Sequence, residues 1–520
     1  MPRTRKKPHQ LIAESLKTAK AIAKDNVIKS EALGRADRER LLSAQFLTEV
    51  IRGWYLLGTP DGGGVSTAWF GSFWAFIKHY MVDRFGEGEF CISAESSLNM
   101  FAGDTAIPRQ IIILTKKDSN TTIDLLHDTS IFLRTDTKNF PTSTAIYNQL
   151  PVMSAVSALC RVGPSYFQQH PKNVEVILKL ASVSTADISR NLLKLEAVTA
   201  AERLIGAYRH LNDLIKADQI LKDMQTAGYK ISPVNPFADY LPQLLEQRIT
   251  SPHAGRIRIK WNEMKKVVEK IFPTPPGISG DQSKTINVIW ETYKQDAYHS
   301  LSIEGYHVTE SLIEKIEKGI WDPENNDSDR KQKDALAAKG YFQSFQTVTK
   351  SIERVLKHEN SSQVLETDLQ TWYRELFAPL LQANLEPAEK LAGYRNQQVY
   401  ITGSRHIPPQ SSAVLDCMDV LFELLRNESN AAVRAVLGHF IFVYIHPYMD
   451  GNGRIGRFIM NLMLVSGGYN WTVIRVERRS EYMAALERAS TEDNIEPFAT
   501  FVASELNHWK TLVSEIKIKT

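Results

Sequence analysis

Apolar stretches at helical spacing dominate the C-terminal half of the chain. Residues Ala431–Ile445 contain no proline and are almost entirely apolar, with Arg434 and His439 as the exceptions. This pattern predicts a buried helix, and Pro447 would end it immediately after His446.

Two further segments of this half show helical spacing. Residues 454–466 are mainly apolar and are followed by Gly467 and Gly468, which favour the left-handed conformation that closes helices. Residues 286–304 also have helical periodicity and are followed by Gly305. We therefore expect this half of the protein to be largely helical.

The N-terminal half has a mixed pattern that predicts an α/β organisation. We expect helices over residues 36–44 and 46–57, with residues 53–55 as the start of a wing, and a strand over residues 109–117. An aromatic cluster at near-helical spacing predicts core packing rather than stacking against nucleic-acid bases, and it comprises Trp69, Phe70, Phe73, Trp74 and Phe76.

Proline, glycine and polar residues mark the boundaries. Residues 272–280 are rich in Pro and Gly and indicate a linker. We therefore divide the chain into an α/β region at 1–240, a linker region at 241–284 and a second domain at 285–510. The polar residues 322–334 are typical of a surface loop.

Composition narrows the class of protein. The chain has 520 residues, 43% hydrophobic and 23% charged, which is ordinary for a globular protein of more than one domain. Its formal net charge of +3 does not by itself imply nucleic-acid binding, and no apolar run reaches membrane length. The basic N-terminus has no apolar segment behind it, so we do not expect a signal peptide. The scattered Cys91, Cys160 and Cys417 fit a reducing cytoplasm.

The densest candidate chemistry lies at residues 446–457, His-Pro-Tyr-Met-Asp-Gly-Asn-Gly-Arg-Ile-Gly-Arg. A Gly-rich turn that opens a helix presents backbone N–H groups to an anion. Arg454 and Arg457, three residues apart, share one helical face and can bind phosphate oxygens. Asp450 can hold Mg²⁺ against phosphates, and His446 can take a proton from a hydroxyl. The segment therefore predicts a nucleotide-phosphate site with its own base.

This segment resembles the signature of the Fic family, His-x-Phe-x-(Asp/Glu)-Gly-Asn-Gly-Arg-x-x-Arg, with Tyr448 in place of Phe. The resemblance extends over about residues 285–505. It implies an all-helical domain with a small β-hairpin flap at residues 395–409, whose centre at residues 399–402 has strand propensity. Residues 472–476 form a further β-like run. The overall expectation is a mainly α protein, with a Fic domain preceded by an α/β region that includes a winged helix.

The resemblance also implies roles. The family transfers AMP from ATP to a protein hydroxyl, so His446 would be the general base and Asp450 would hold Mg²⁺ or Mn²⁺. The flap backbone would pair with an extended target segment. Tyr482 would lie near adenine, and Arg454 and Arg457 would bind the β- and γ-phosphates. The nucleotide-binding set would be Asp450, Gly451, Asn452, Gly453, Arg454, Ile455, Gly456, Arg457, Tyr482, Ile401, Thr402 and Gly403.

An upstream motif suggests regulation of this site. Ser300 and Glu304 are four residues apart on one helical face, and Gly305 follows. They resemble the Fic inhibitory motif (Ser/Thr)-x-x-x-Glu-(Gly/Asn), in which the glutamate pairs with the second signature arginine, here Arg457. Some relatives carry Asn after the Gly, where this chain has Tyr306. The resemblance implies autoinhibition by Glu304.

The N-terminal region loosely resembles AbiEi-type antitoxin regulators, which combine a winged helix with an α/β portion. Interleaved Asp37, Glu39 and Glu49 instead favour a solvated helix face, and recruitment of a protein target or regulation of the Fic domain stays open. Under the DNA-binding hypothesis the phosphate contacts would be Arg35, Arg38, Arg40 and Arg52.

Several alternatives remain at this stage. We expect a cytoplasmic adenylyltransferase whose partner is a protein with a hydroxyl side chain, with the chain itself as a second candidate target and a homodimer left open. The competing functions are removal of AMP, another nucleotidyl or phosphoryl transfer, and a DNA-binding toxin–antitoxin type regulator with a Fic sensor module. No membrane partner is expected. We expect His406, in the flap, to be a surface-loop histidine.

Overall fold

The computed structural model describes residues 7–60, 64–117, 120–137, 140–181, 183–244, 251–319, 333–385, 387 and 393–519. The chain forms two compact units and is mainly α-helical. The first unit comprises Met1–Arg256 together with Tyr400–Ile407, and the second comprises Ile257–Val399 together with Pro408–Thr520. None of the described helices is long and apolar enough to cross a membrane.

The first unit begins with helices packed beside a small antiparallel sheet of order β1-β3-β2. Our prediction of a helix over residues 46–57 was wrong, because these residues form a β-hairpin. Thr48, Val50 and Trp54 favour extended backbone, and Gly53 turns the chain with a φ of +85°. The elements are α1 (Pro8–Ile22), β1 (Val27–Lys29), a 3₁₀ turn (Ser30–Ala32), α2 (Arg35–Ser43), β2 (Leu47–Ile51) and β3 (Trp54–Leu57).

A six-stranded mixed sheet of order β6-β7-β5-β4-β9-β8 forms the rest of the α/β part. The predicted strand at residues 109–117 is present as β5. The elements are α3 (Gly64–Phe85), β4 (Phe90–Ile92), α4 (Ala94–Phe101), β5 (Gln110–Thr115), β6 (Thr121–Asp124), β7 (Ser130–Thr135), β8 (Ala145–Tyr147) and β9 (Leu150–Val152).

The predicted aromatic cluster lies on α3 and packs into the core of this unit. Trp69, Phe73 and Phe76 are fully buried and Phe70 is 6% exposed, whereas Trp74 packs at the edge of the core. The core-packing prediction is therefore confirmed. The described helices that follow the sheet are α5 (Ala155–Leu159), α6 (Pro164–Gln169), α7 (Pro171–Leu180), α8 (Thr185–Lys194), α9 (Val198–His210) and α10 (Leu214–Thr226).

The region 241–284, predicted as a linker, contains a long helix, α11 (Pro252–Ile271). Buried Ile257, Trp261 and Met264 give this helix an apolar face, and the Pro/Gly-rich residues 273–279 that follow it have no regular structure. The division between the two units falls within α11, between Arg256 and Ile257.

The second unit is a helical assembly. In it the helices Lys333–Leu356 and Ser361–Gln382 pack so closely that a Cβ on Gly340 would overlap the carbonyl oxygen of Leu376. Its helices are α12 (Gln282–Ile303), α13 (Glu310–Glu317), α14 (Lys333–Leu356), α15 (Ser361–Gln382), α16 (Val414–Asn427), α17 (Ala431–Ile445), α18 (Asn452–Ser466), α19 (Arg479–Thr491) and α20 (Glu496–Lys519).

Two predicted strands are wrong. Residues 399–402 have no strand assignment and lead into a turn at residues 402–403. Residues 472–475 also have no regular structure, and Val476 begins a 3₁₀ turn. The side chain of Asn461 both donates to and accepts from the backbone of Thr472, at 3.0 and 2.7 Å. That side chain takes the place of a neighbouring strand. Most of the predicted surface loop at residues 322–334 lies outside the described residues.

Candidate functional site

The loop at residues 446–451 connects α17 to α18, as the apolar pattern predicted. His446 ends α17 with φ +52° and ψ +59°, and Gly451 precedes α18 with φ +82°. Glycine is required at 451 for a second reason, because a Cβ there would lie 2.8 Å from the ring of Phe377. The two left-handed residues make the chain reverse within one short loop.

Asn452 and Arg395 hold the loop in shape. The Asn452 side chain accepts from the Tyr448 N–H and donates to the Tyr448 carbonyl, both at 2.9 Å. Arg395, 4% exposed, donates from Nε to the carbonyl oxygen of His446 at 2.8 Å. The backbone N–H of Arg395 donates to the Pro447 carbonyl at 2.8 Å. Asn452 was predicted as a nucleotide contact, but its side chain is used inside the loop, so only its backbone N–H remains for an anion.

The start of α18 is suited to an anion. The first N–H groups of a helix have no intrahelical acceptor, and no described side chain caps this terminus. Asp450 lies at its mouth with 52% of its side chain exposed. Its Oδ1 accepts from the Gly451 N–H at 2.5 Å and from Arg454 Nη2 at 3.2 Å. The backbone at residues 452–454 therefore offers donors beside an accessible carboxylate.

Both arginines of the segment are buried. Arg454 is fully buried between the rings of Tyr306 and Phe377, each 5.2 Å from its guanidinium carbon. Among the described residues, no acceptor satisfies Arg454 Nε or Nη1, or Nη1 of Arg457. Buried cationic donors without acceptors are costly, so these groups are suited to an anionic ligand.

Ser300 and Glu304 accept hydrogen bonds from two of the guanidinium nitrogens of Arg457. Arg457 Nε donates to Ser300 Oγ at 2.9 Å, and Nη2 donates to the Ser300 carbonyl at 3.0 Å. Nη2 also forms an ion pair with Glu304 Oε1 at 2.8 Å. A Cβ placed on Gly453 would lie 2.3 Å from that same Glu304 oxygen. The structure therefore places the Glu304 carboxylate against the glycine turn that opens α18.

Comparisons with known proteins agree with the family resemblance of this region. Residues 363–464 match the model of the Fic/DOC family. The chain is 30% identical over 242 residues to protein adenylyltransferase Fic of Nematostella vectensis, covering 45% of this chain and 51% of the relative. It is 30% identical over 218 residues to the Drosophila melanogaster protein of the same name, covering 41% and 40%.

The chain contains a Fic domain. It spans about half the length, or less, of the curated relatives that it matches. Among solved structures, Fic-1 from Caenorhabditis elegans is 17% identical with a TM-score of 0.38, covering 70% of this chain and 99% of that one. A Fic-domain protein from Bacteroides thetaiotaomicron is 20% identical with a TM-score of 0.33, covering 48% and 93%.

His446 of the Fic domain is held as a neutral imidazole. Its Nδ1 lies 3.2 Å from the carbonyl oxygen of Val443, which can only accept, so the ring proton belongs on Nδ1. Nε2 then carries the lone pair. Burial lowers the pKa of His446 to about 4, partly offset by the hydrogen bond to Val443. The imidazole is therefore unprotonated at neutral pH.

Three predicted nucleotide contacts have other surroundings. Ile455 is fully buried, and a Cβ on Gly456 would lie 2.8 Å from His439 Nδ1, so both positions pack α18 against α17. Tyr482 is 2% exposed, and its hydroxyl lies 2.8 Å from His439 Nε2. These three positions are therefore taken up by packing contacts within the domain. Tyr482 presents no open face to adenine in this structure.

The remaining predicted residues of the flap, Ile401, Thr402 and Gly403, belong to the first unit, and their nucleotide-binding role stays a prediction. For the metal, no cluster of three or more His, Cys, Asp and Glu residues is present in the part of the chain that the structure describes. Asp450 alone, with an exposed carboxylate, fits the way Mg²⁺ binds one carboxylate together with substrate phosphates.

The candidate DNA contacts in the first unit are only partly available. Arg38 donates to the Ser30 carbonyl at 3.0 Å, and Arg40 pairs with Asp37 at 2.9 Å. Arg35 is exposed but forms an ion pair with Glu39 at 2.7 Å, and Arg52 is exposed. DNA binding stays a prediction, with at most Arg35 and Arg52 facing outward.

Sequence reasoning missed Arg395, Tyr306 and Phe377 as parts of the site. Arg395 lies at the start of the predicted flap, where a surface role was natural to assume. Tyr306 and Phe377 are far from Arg454 in sequence, so only the packing of the Fic domain brings them against it.

Proposed function

We propose that this protein transfers AMP from ATP to the hydroxyl of a Tyr, Thr or Ser residue in a target protein, in a reducing cytoplasm. The observation that carries the proposal is the geometry of residues 446–457. It combines a neutral imidazole with a free Nε2, an uncapped helix terminus and two buried arginines, each with at least one guanidinium nitrogen that has no acceptor among the described residues. The names of the relatives, protein adenylyltransferase Fic, support the same reaction.

In the proposed reaction the target hydroxyl oxygen attacks the α-phosphorus of ATP. The bond from that phosphorus to the oxygen bridging to the β-phosphate breaks, and pyrophosphate leaves. His446 Nε2 accepts the hydroxyl proton. The backbone N–H groups of residues 452–454 stabilise negative charge on the transferred phosphoryl group. Arg454 and Arg457 hold the outer phosphates and so orient the leaving group.

Mg²⁺ would be held by Asp450 and the nucleotide phosphates. When bound it neutralises charge on the phosphates, as in other phosphoryl-type transfers. The Asp450 carboxylate also accepts from Arg454 Nη2 at 3.2 Å, so the same residue helps to keep that guanidinium in place.

We further propose that Glu304 inhibits transfer. Its carboxylate takes an Arg457 donor that the γ-phosphate would use and lies against Gly453, where nucleotide phosphates would enter. Like charge makes carboxylate and phosphate mutually exclusive there. Arg457 would still be held by Ser300 after Glu304 is removed, so the guanidinium should keep its position.

The test is incorporation of ATP labelled on the α-phosphate into proteins of a cell lysate. We expect Glu304→Gly to raise labelling by about tenfold or more, equal to about 1.4 kcal/mol of transition-state stabilisation. Glu304→Gln, which removes the charge and keeps most of the volume, should give a smaller rise. His446→Ala in the Glu304→Gly background should return labelling to background.

Two outcomes would contradict the proposal. Unchanged labelling in Glu304→Gly would remove the inhibitory role of that residue. Labelling that survives His446→Ala would remove His446 as the base. Mass spectrometry of labelled proteins identifies the adduct, and release of AMP from a pre-labelled protein, without new adducts, would favour the reverse hydrolytic reaction.

A further inference from the structure

A short segment of the Fic region belongs structurally to the N-terminal half. Residues Tyr400–Ile407 are part of the first unit, although the chain before Tyr400 and after Ile407 is part of the second. We call residues 400–407 the flap segment, because they lie within the flap that the family resemblance implies. The same resemblance implies that the flap backbone pairs with an extended segment of the protein target.

Backbone pairing with residues 105–107, which we call the anchor strand, holds the C-terminal part of the flap segment. The Ile107 N–H donates to the Arg405 carbonyl at 2.9 Å, and the Ile407 N–H donates to the Thr105 carbonyl at 3.2 Å. Between these two bonds, Ala106 and His406 form an antiparallel bridge. The anchor strand therefore takes up one backbone edge of the flap segment.

Side chains reinforce the pairing. His406 is 1% exposed, so the prediction of a surface-loop histidine was wrong, and its Nδ1 lies 2.9 Å from Thr105 Oγ1. Ile407 packs against the hydrophobic core of the first unit. Burial of an imidazole and an aliphatic side chain fixes this end of the segment to that core.

The other end is held by α3. The Gly403 N–H donates to Thr67 Oγ1 at 2.9 Å. The ring of Tyr400 lies against Gly71, where a Cβ would sit at an ordinary contact distance of 3.5 Å. A turn closed by the Ser404 N–H and the Ile401 carbonyl, at 3.1 Å, connects the two ends. Thr402 and Gly403, at its tip, are exposed.

We propose that the first unit is a positioning element for the protein target, because it fixes both ends of the flap segment and leaves the tip open. A peptide that adds to a mobile segment must first order it, and the ordering costs entropy that weakens binding. Anchoring removes most of that cost before the target arrives. The positioning residues are Thr67, Thr105 and His406. This proposal rests on the proposed adenylyl transfer for its functional part, but not for its structural part.

Hydrogen exchange tests the structural part in the full-length chain without any substrate. Thr67→Val and Thr105→Val keep side-chain volume and remove the hydroxyls that contact Gly403 and His406. We expect exchange of peptides covering residues 400–407 to rise about three- to tenfold in each, the range for losing one hydrogen bond. Thr185→Val is the matched control, since its hydroxyl bonds Gln219 in the same unit and not the flap segment. Unchanged exchange in both flap variants would overturn the anchoring.

The functional part is measured in the Glu304→Gly background. Labelling of lysate proteins with α-labelled ATP is followed against lysate concentration. We expect each flap variant to need more lysate for half-maximal rate, by about the factor seen in exchange, with ATP affinity unchanged. A purely structural defect would lower the maximal rate and ATP affinity as well. A rise in labelling would overturn the proposal, because the anchor strand would then be blocking the target.

A reversible disulfide between the anchor strand and the flap segment tests whether their pairing positions the protein target or obstructs it. Cα atoms of antiparallel partners flanked by hydrogen bonds, as Ala106 and His406 are, lie about 4.5 Å apart, within the range for a disulfide. In Ala106→Cys/His406→Cys the oxidised chain should label targets at least as well as the reduced chain. Loss of labelling on oxidation, restored by dithiothreitol, would overturn the proposal. If Glu304→Gly itself labels nothing, the adenylyl transfer fails, while the exchange result still decides the anchoring.

Discussion

The chemistry expected of His446 follows from the surroundings of a single ring. The hydrogen bond to the Val443 carbonyl fixes the tautomer, and burial lowers the pKa to about 4. A general base works only when unprotonated, so activity is lost as pH falls through this pKa and is retained above it.

We therefore predict that the labelling rate of the Glu304→Gly protein changes little with pH from neutral to mildly acidic solution. The initial labelling rate should be constant from pH 8 down to about pH 5 and should fall with a midpoint nearer 4 than the 6.5 of an unperturbed histidine. ATP binding and far-UV circular dichroism at each pH provide the controls. A midpoint near 6.5 with intact binding and fold would show that the ring is more hydrated than its packing indicates.

The sequence predicted which residues form the site better than it predicted what each of them does there. The spacing of His446, Asp450, Arg454 and Arg457 was enough to predict a phosphate site, because charge and helical geometry are local properties. The inward-facing roles of Asn452 and Arg395 could not be predicted, since both depend on which carbonyl groups the folded loop leaves unsatisfied.

At the scale of elements, the contact between α17 and α18 sets the shape of the loop between them. Gly456 allows this contact, because a Cβ there would lie 2.8 Å from His439 Nδ1 and 3.0 Å from Val443 Cγ1. His439 is fully buried, with its Nε2 2.8 Å from the Tyr482 hydroxyl, so it has little room to move away.

We predict that Gly456→Ala lowers the free energy of unfolding by about 1–3 kcal/mol, the usual cost of overpacking. Chemical denaturation followed by circular dichroism measures the change. Gly280→Ala is the matched control, because no atom lies within 4 Å of the position of its Cβ and we expect a change within about 0.5 kcal/mol. Equal stability of the two variants would show that the helices separate at little cost.

Helices with a continuous apolar pattern, such as α17, were predicted almost to the residue. A helix that is buried on nearly every face shows its full length as an almost unbroken apolar run. The hairpin of β2 and β3 was misjudged as helix, since Leu, Glu and Arg among its residues suit either structure and the sheet partner β1 is distant in the chain. Residues 472–476 failed for a related reason. The backbone of Thr472, at the start of this run, bonds the side chain of Asn461, a partner that no periodicity reveals.

At the scale of the whole molecule, the three cysteines report separately on the two units. Cys91 and Cys160 lie in the first unit and Cys417 in the second, and all three are buried and unpaired. Burial raises the pKa of each thiol to about 12. Since the thiolate is the reactive form, the folded chain should react very slowly with thiol reagents.

We predict that ATP slows labelling of Cys417 in the Glu304→Gly chain under mildly denaturing conditions, because a ligand that binds only the folded unit stabilises it. At about 100 times the dissociation constant the expected protection is about 2.7 kcal/mol, or roughly a hundredfold in the unfolded population. In the unsubstituted chain, where Glu304 occupies Arg457, the protection should be smaller. Pulsed alkylation with mass spectrometry resolves the three sites. Equal protection of Cys417 with and without the Glu304 carboxylate would mean that this carboxylate does not compete with the nucleotide.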